Sequence, residues 1–513
     1  MSTNYQANNK RIAKNTMLLY FRMFLTIGLQ LYTVPVVLRV LGVEDYGLYN
    51  VIGGITALFT FVGSSLASGA QRFFAFAIGK GDQDNLNSCF RTTLNIYLSI
   101  AAVTLLLFEV AGTWFISYKM QIPEGREFAA HLVFQFSIVA FLVALITVPF
   151  NAVVIAHERM GIYAYVSIGS SLLKLLSVIL LQFFSYDHLI IYALLLMIVH
   201  VFEGLFYQFY CRKNFSECRQ WGWGFDKGLT RNLLTYSGFN VIGAFALILR
   251  KQGLNIVMNL FFGTALNAAH AIGVQINGVI EQFINNLYMA SRPQVTKSYA
   301  AGRIEDMWKL VFRTSLLAYY LIMIMAIITI AEMPTILNFW LKDVPEYTVN
   351  IARMFIICLM IETTTNQLIS VFQAENKIKY YQIFSSTILL LNVPVAYMIL
   401  RADSSSALVP YYIQVAFSVL YVISILTVSI KVSNLSLSTF LKNVLLREIF
   451  ITLIVVVVAF YITSCLEPTL LRVLITTITT VIVSALLILS IGVDKHDKKI
   501  ILTKIKSKYN NKS

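Results

Sequence analysis

The sequence predicts an all-α polytopic membrane protein of about fourteen transmembrane helices, arranged as two six-helix lobes related by a pseudo-two-fold axis plus two accessory helices. Three observations predict it. Apolar stretches long enough to span a bilayer, about 18 residues or more, recur from one end of the chain to the other. Only 13% of the 513 residues are charged, about half the usual globular share of ~25%, so the chain lacks the residues for a water-soluble surface. An internal repeat then sets the order of the spans.

The spans fall at 15–38, 46–77, 92–117, 128–155, 162–184, 189–210, 233–261, 266–291, 310–332, 348–372, 381–400, 407–430, 447–465 and 469–491. Polar Ser2 to Asn9 and basic Lys10, Arg11 and Lys14 precede the first. That span is too long for a signal-peptide core and ends without a small-residue cleavage site. The longest polar connection, 211–232, joins spans six and seven and reads as a cytoplasmic linker. The repeat relates what lies on either side. Gly81 and Phe90-Arg91-Thr92-Thr93-Leu94 recur as Gly302 and Phe312-Arg313-Thr314-Ser315-Leu316, at offsets of 221 and 222. Gly42 and Gly263 are also 221 apart, and Ala156, Arg159 and Tyr163 match Ala374, Lys377 and Tyr381 at 218. Six spans per half is an even number, so the halves share one orientation. The expected divisions are an N-terminal lobe 1–210, the linker 211–232, a C-terminal lobe 233–430, two accessory helices in 431–491 and a basic cytoplasmic tail 492–513.

A net charge of +15 would suggest nucleic acid in a soluble protein, but here the charges occupy short loops. With the N-terminus inside, inner segments hold 29 of the 40 basic residues and outer segments hold seven, Arg39, Lys119, Arg126, Lys342, Arg353, Arg401 and Arg472. That asymmetry places both termini in the cytoplasm. The five cysteines have no metal-like spacing, and a reducing cytoplasm keeps Cys211 and Cys218 as thiols. No disulfide and no metal is expected.

A charge at the bilayer centre costs about 2.5–3.5 kcal/mol on insertion scales, so intramembrane charges mark interiors, wet cavities or paired partners. Arg22, Thr26, Gln30 and Thr33 form one stripe on span one; Asn50, Gly53, Thr60, Ser64, Ser68 and Gln71 another on span two; Asn240, Lys251, Asn255 and Asn259 a third on span seven; His270, Asn277, Glu281, Asn285 and Arg292 a fourth on span eight; Glu362, Asn366 and Gln373 a fifth on span ten. Lipid does not accommodate such stripes, whereas a cavity between two halves does. Arg250 and Lys251 point ~100° apart on one helix, so a single acid cannot readily neutralise both. Arg22, Arg250, Lys251, Asn255 and Asn277 are therefore the expected substrate-binding residues. Glu203, Glu281 and Glu362 are candidates for ion coupling, although Lys174 with Glu203 reads better as a buried pair. His200 and Glu203 are too few for a metal site. No phosphate-binding loop, HExxH or GxSxG occurs, the loops are too short for a catalytic domain, and no catalytic residue, cofactor or metal is expected.

Leu41-Gly42-Val43-Glu44-Asp45-Tyr46-Gly47 closely resembles the LG-x-x-x-Y-G signature of polysaccharide-export flippases. Arg72 with Gly79-Lys80-Gly81-Asp82, and Pro149 with Ala156-His157-Glu158-Arg159-Met160, also resemble that family, as does the six-plus-six-plus-two layout. Together they look like a Wzx-like member of the multidrug/oligosaccharidyl-lipid/polysaccharide exporter superfamily over essentially the whole chain. The resemblance implies a bacterial inner-membrane flippase. It would move undecaprenyl-pyrophosphate-linked oligosaccharide by alternating access, for O-antigen, capsule or exopolysaccharide synthesis. It would work among membrane lipid with a polysaccharide polymerase and chain-length regulator, and without nucleic acid. Few arginines in the early spans depart from a murein-precursor flippase. A drug or cation antiporter of the same superfamily is the alternative. It would need a dominant carboxylate in an acidic cavity, where this sequence has Arg250-Lys251. A membrane-embedded polymerase or acyltransferase would need a large outer loop or a His/Asp centre.

Overall fold

The computed structural model describes residues 2–492 apart from Glu158, Gln220, Trp221, Lys342 and Asn376. The expected basic tail, Glu158 and the side chain of Arg72 lie outside the described residues. All fourteen expected spans lie on helices. These are α1 (Ser2–Ala57), α2 (Thr60–Lys80), α3 (Gln83–Tyr118), α4 (Glu127–Ala156), α5 (Met160–Leu181) and α6 (His188–Asn214). Next, α7 comprises Lys227–Ile248, a π-helical turn Leu249–Gly253 and Leu254–Phe262; α8 is Thr264–Ala300 and α9 is Ile304–Leu341. The last are α10 (Thr348–Asn366, then Ile369–Ala374), α11 (Ile378–Ala402), α12 (Val409–Ser433), α13 (Leu437–Cys465) and α14 (Leu470–Gly492). Twelve stretches among the described residues are long and apolar enough to cross a membrane. The difference from fourteen has physical reasons. Spans one and two run together through Gly42 without a loop, and α8 is polar along much of its length. Outward-facing Val110, Phe209 and Val457 are 66–73% exposed, a surface suited to lipid and not to water.

Two compact units make up the chain. One is Met1–Ala271 with Val393–Ala407; the other is Ile272–Asn392 with Leu408–Ser513. In the first unit α4 packs on α6 where Gly204 has no side chain, since a Cβ there would stand 2.6 Å from Val143. Phe74, Phe90, Phe150 and Tyr207 fill the space around this contact. Close packing of this kind, helped by small residues, holds helices together in lipid, where apolar burial alone does not favour helix over lipid contact. The linker is not a free connection. His157, just past α4, lies 2.7 Å from Glu217 and its ring stacks on Phe215. Asn95 of α3 donates to the Gly222 and Gly224 carbonyls at 3.0 and 2.9 Å.

In the second unit the two helices expected to be accessory are tied to α9. Arg472 of α14, expected in an outer loop, is buried and donates from Nη2 to Glu332 at 2.9 Å. Thr476 donates to the other Glu332 oxygen at 2.7 Å. Tyr319 of α9 and Thr452 of α13 share a hydrogen bond of 3.0 Å. The reason for the difference is pairing: near the start of α14 the guanidinium turns onto the buried Glu332 carboxylate of α9, a partner far away in sequence.

The repeat is visible in backbone angles. Gly42 has φ 80° and ψ 172°, and Gly263 has φ 78° and ψ −171°. Gly81 and Gly302 have φ of 69° and 70°. These are conformations that only glycine adopts readily, which explains why these pairs stand out in a diverged repeat.

Candidate functional site

The π-helical turn in α7 carries both adjacent cations. Arg250 is 6% exposed and Lys251 half-buried. A π turn inserts one residue into the helix and rotates the side chains around it, and such turns concentrate at functional sites. Gly253 closes the turn where a Cβ would meet Val393 of α11 at 3.0 Å. The His270 ring of α8 bonds to the Lys251 backbone. One turn on, Asn255 is taken up in a polar lattice. Its Nδ2 donates to the Asn50 carbonyl at 3.2 Å, and Asn267 Nδ2 donates to Asn255 Oδ1 at 2.7 Å. Asn259 extends the lattice to Asn267 at 3.2 Å and to the Gln121 carbonyl at 3.1 Å. Interhelical hydrogen bonds in membranes contribute about 0.6 kcal/mol each, so much of the stripe on α7 serves to join α1, α7 and α8.

Arg22 stands elsewhere in the same unit. Its guanidinium lies over the Tyr163 ring of α5 at 4.7 Å, and its buried Nε has no hydrogen-bond partner among the described residues. Tyr163 also lines a cavity of about 370 Å³ between α2, α4 and α5, together with Gln71, Gly63 and Asn151. The Asn151 Oδ1 atom is buried without a partner among the described residues. Sequence reasoning passed over Asn151; the signal was a lone amide two residues after Pro149 in an otherwise apolar run.

Glu203 of α6 accepts from Ser170 of α5 at 3.0 Å and lies in electrostatic range of Lys174. Arg22, Arg250, Lys251, Asn255 and Glu203 thus belong to the first unit. Asn277, Glu281 and Glu362 belong to the second. There Asn277 is 7% exposed and its Oδ1 has no partner among the described residues. Glu362 accepts from Ser418 of α12 at 2.6 Å. The described residues contain no group of three or more His, Cys, Asp or Glu side chains placed to hold a metal.

No family model matches the chain. A 158-residue stretch is 26% identical to "Uncharacterized membrane protein EpsK" of Bacillus subtilis (strain 168), so the match spans 31% of this chain and 31% of that relative. In three dimensions the chain is similar to a structure described as an "inward-facing conformation of a multidrug resistance MATE family transporter of the MOP superfamily". The TM-score is 0.66 at 14% identity, covering 79% of this chain and 95% of that one. It is also similar to "Lipid II flippase MurJ, inward closed conformation", with a TM-score of 0.62 at 11% identity over 93% and 98% of the two chains. This chain has the MOP-superfamily transporter fold.

Within the MOP fold the flippase-like sequence stretches do structural work. Gly42 makes the kink between the first two spans. Asp45 and Asp187 both pair with Arg126, joining α1 to the start of α6. Gly47 leaves room for the Thr264 carbonyl, which a Cβ would overlap. Gly81 closes α2 in a left-handed conformation, and Asp82 caps α3 by accepting from Asn85 N at 3.0 Å. These positions build the scaffold, and the expected substrate-binding residues lie outside them.

Proposed function

We propose that this multi-pass membrane protein is a flippase that carries undecaprenyl-pyrophosphate-linked oligosaccharide across the bacterial inner membrane for polysaccharide synthesis, with both termini in the cytoplasm. The observation that carries the reading is the burial of Arg250 beside Lys251 in a π-helical turn at mid-span. Cations held there suit an anionic cargo better than a cationic one, which disfavours a drug or cation antiporter. The MOP fold and a neighbour described as a lipid II flippase support the reading. Residues 1–210 and 233–430 act as the two lobes, and a polymerase and chain-length regulator receive the product. Arg22, Arg250 and Lys251 attract the pyrophosphate, Arg by its two-pronged match to phosphate oxygens. Asn255 and Asn277 offer the glycan polar contacts. The prenyl chain stays in lipid. With the inside negative, carrying about two negative charges outward gains roughly 4–5 kcal/mol per 100 mV. Exchange of an ion at Glu203, Glu281 or Glu362 adds to that drive.

The test is reconstitution of the purified protein in vesicles bearing a fluorescent undecaprenyl-pyrophosphate oligosaccharide, with outer-leaflet glycan read by an impermeant glycosidase. Arg250→Ala and Lys251→Ala each slow transfer by about 10- to 100-fold, the worth of a charge-assisted hydrogen bond of ~1.5–3 kcal/mol, at normal abundance. Arg250→Lys retains part of the activity. Full transfer by a normally abundant Arg22/Arg250/Lys251 triple-alanine variant overturns the cationic-site assignment, and efflux of organic cations without lipid transfer favours the antiporter.

A further inference from the structure

The helices α13 and α14 have no counterpart in the repeat, yet they bury polar groups that their apolar composition conceals. On α14, Arg472, Thr476, Thr480 and Ser484 follow at steps of four and all are buried, the last three fully. Arg472 and Thr476 are engaged with Glu332 of α9. Thr480 Oγ1 and Ser484 Oγ have no hydrogen-bond partner among the described residues. On α13, Glu448 is 1% exposed and neither carboxyl oxygen has a partner among the described residues. Ser315 of α9 is also fully buried and unpartnered there. The bond between Tyr319 and Thr452 fixes the register, because Ser315 and Glu448 lie one turn before those residues on helices that run in the same direction. Each of these three packed helices therefore buries orphaned polar atoms.

Buried polar groups are normally satisfied, by protein or by water. A carboxylate with no donor at either oxygen is among the costliest groups to bury, and the neutral acid is the form such surroundings tolerate. The groups facing Glu448 supply no countercharge. Tyr288 faces it from α8 and Tyr319 from α9. Thr364 faces it from α10 with a hydroxyl, the one polar neighbour that favours its charged form. Thr480 and Ser484 are the unpartnered groups on α14. Hydroxyls at steps of four stand about 6 Å apart along a helix, a line that single water molecules bridge and that does not close into the cage of oxygens a metal cation requires.

We propose that Glu448 is the proton-binding site of this transporter, reached through a hydrated seam along Ser315, Thr480 and Ser484. The carboxyl O–H bond breaks when water enters the seam, the proton passes to that water as hydronium, and the carboxylate takes up a proton on the return. This rests on the reading of the chain as a transporter, and it gives α13 and α14 a coupling role distinct from the cargo site.

The test needs no cargo. The full chain is placed in lipid nanodiscs and its infrared spectrum recorded in H2O and D2O from pH 5 to 9. The expected result is a protonated-carboxyl stretch that persists at pH 7, well above the ordinary Glu value of about 4.3, and is lost in Glu448→Gln. In vesicles with an imposed pH gradient, Glu448→Gln and the Thr480→Ala/Ser484→Val double variant lose proton uptake that the wild type shows. The double variant keeps the carboxyl and remains informative if Glu448→Gln does not accumulate. A band unchanged in Glu448→Gln, uptake unchanged in both variants, or a band abolished by sodium at constant pH overturns the proposal. Lipid transfer that persists alongside any of these results removes the proton site and leaves the flippase reading standing.

Discussion

Single residues with no side-chain chemistry decide much of this fold. Gly42 and Gly263 adopt φ near 80° with ψ near 180°, a region in which a Cβ collides with the backbone. Gly42→Ala should cost about 1–3 kcal/mol and lower both abundance and melting temperature in detergent, with Gly263→Ala equivalent; a variant as stable as wild type removes the structural account of the signature. Charged residues act in a similar way where they are buried in pairs. Glu332 is fully buried against Arg472, and removing one partner leaves the other charge stranded, at a cost of about 3–5 kcal/mol. Arg472→Met alone should therefore destabilise more than Glu332→Leu with Arg472→Met together. Thermal unfolding of purified protein orders the variants, and a double variant worse than either single one contradicts the pairing.

At the scale of elements, irregular turns matter more than regular ones. The π turn Leu249–Gly253 presents Arg250 and Lys251 within a span that would otherwise run as a regular helix. The linker is ordered by a comparable local device. Burial, the largest influence, would raise the Glu217 carboxyl, but the His157 hydrogen bond and charge, a backbone hydrogen bond and a Gln83 hydrogen bond together outweigh it and hold the group below its usual 4.5. A carboxyl with a depressed folded value contributes stability above its unfolded value, and that contribution is lost as pH falls through the folded one. The linker should thus stay docked at neutral pH and loosen below pH 4.5. Limited proteolysis within 211–232 should show cleavage rising on acidification in the wild type and already high at pH 7 in Glu217→Ala. Resistance of that variant at pH 7 removes the role of the pair.

At the scale of the molecule, charge distribution orients the chain. The excess of basic residues in the expected inner segments predicts a cytoplasmic linker, so a cysteine at the exposed Trp223 should be unreachable by an impermeant maleimide from outside cells, while one at Pro123 should react. Labelling at Trp223 alone inverts the orientation. The two compact units do not follow the repeat: the first extends to Ala271 and takes in Val393–Ala407. The expected site residues are divided between these units, Asn277, Glu281 and Glu362 in one and the rest in the other.

The sequence by itself determined the all-helical membrane class, the run of spans and the repeat. Those follow from apolar length and from glycines whose backbone conformation no other residue matches. The π turn at Arg250, the kink that fuses the first two spans and the buried polar seam of α14 were decided only in the folded state. Thr476, Thr480 and Ser484 look like tolerated polar residues in an apolar run, because a hydroxyl can satisfy itself within its own helix. Whether it does so depends on which neighbours close over it. Glu448 was hidden by its place at the expected start of a span, since α13 begins ten residues earlier than the hydropathy suggested, at Leu437. The polar stripes on spans seven and eight were legible as stripes. That Asn255 joins helices, whereas the Asn277 carbonyl oxygen has no partner among the described residues, depends on neighbours far away in sequence, which periodicity along one helix does not encode.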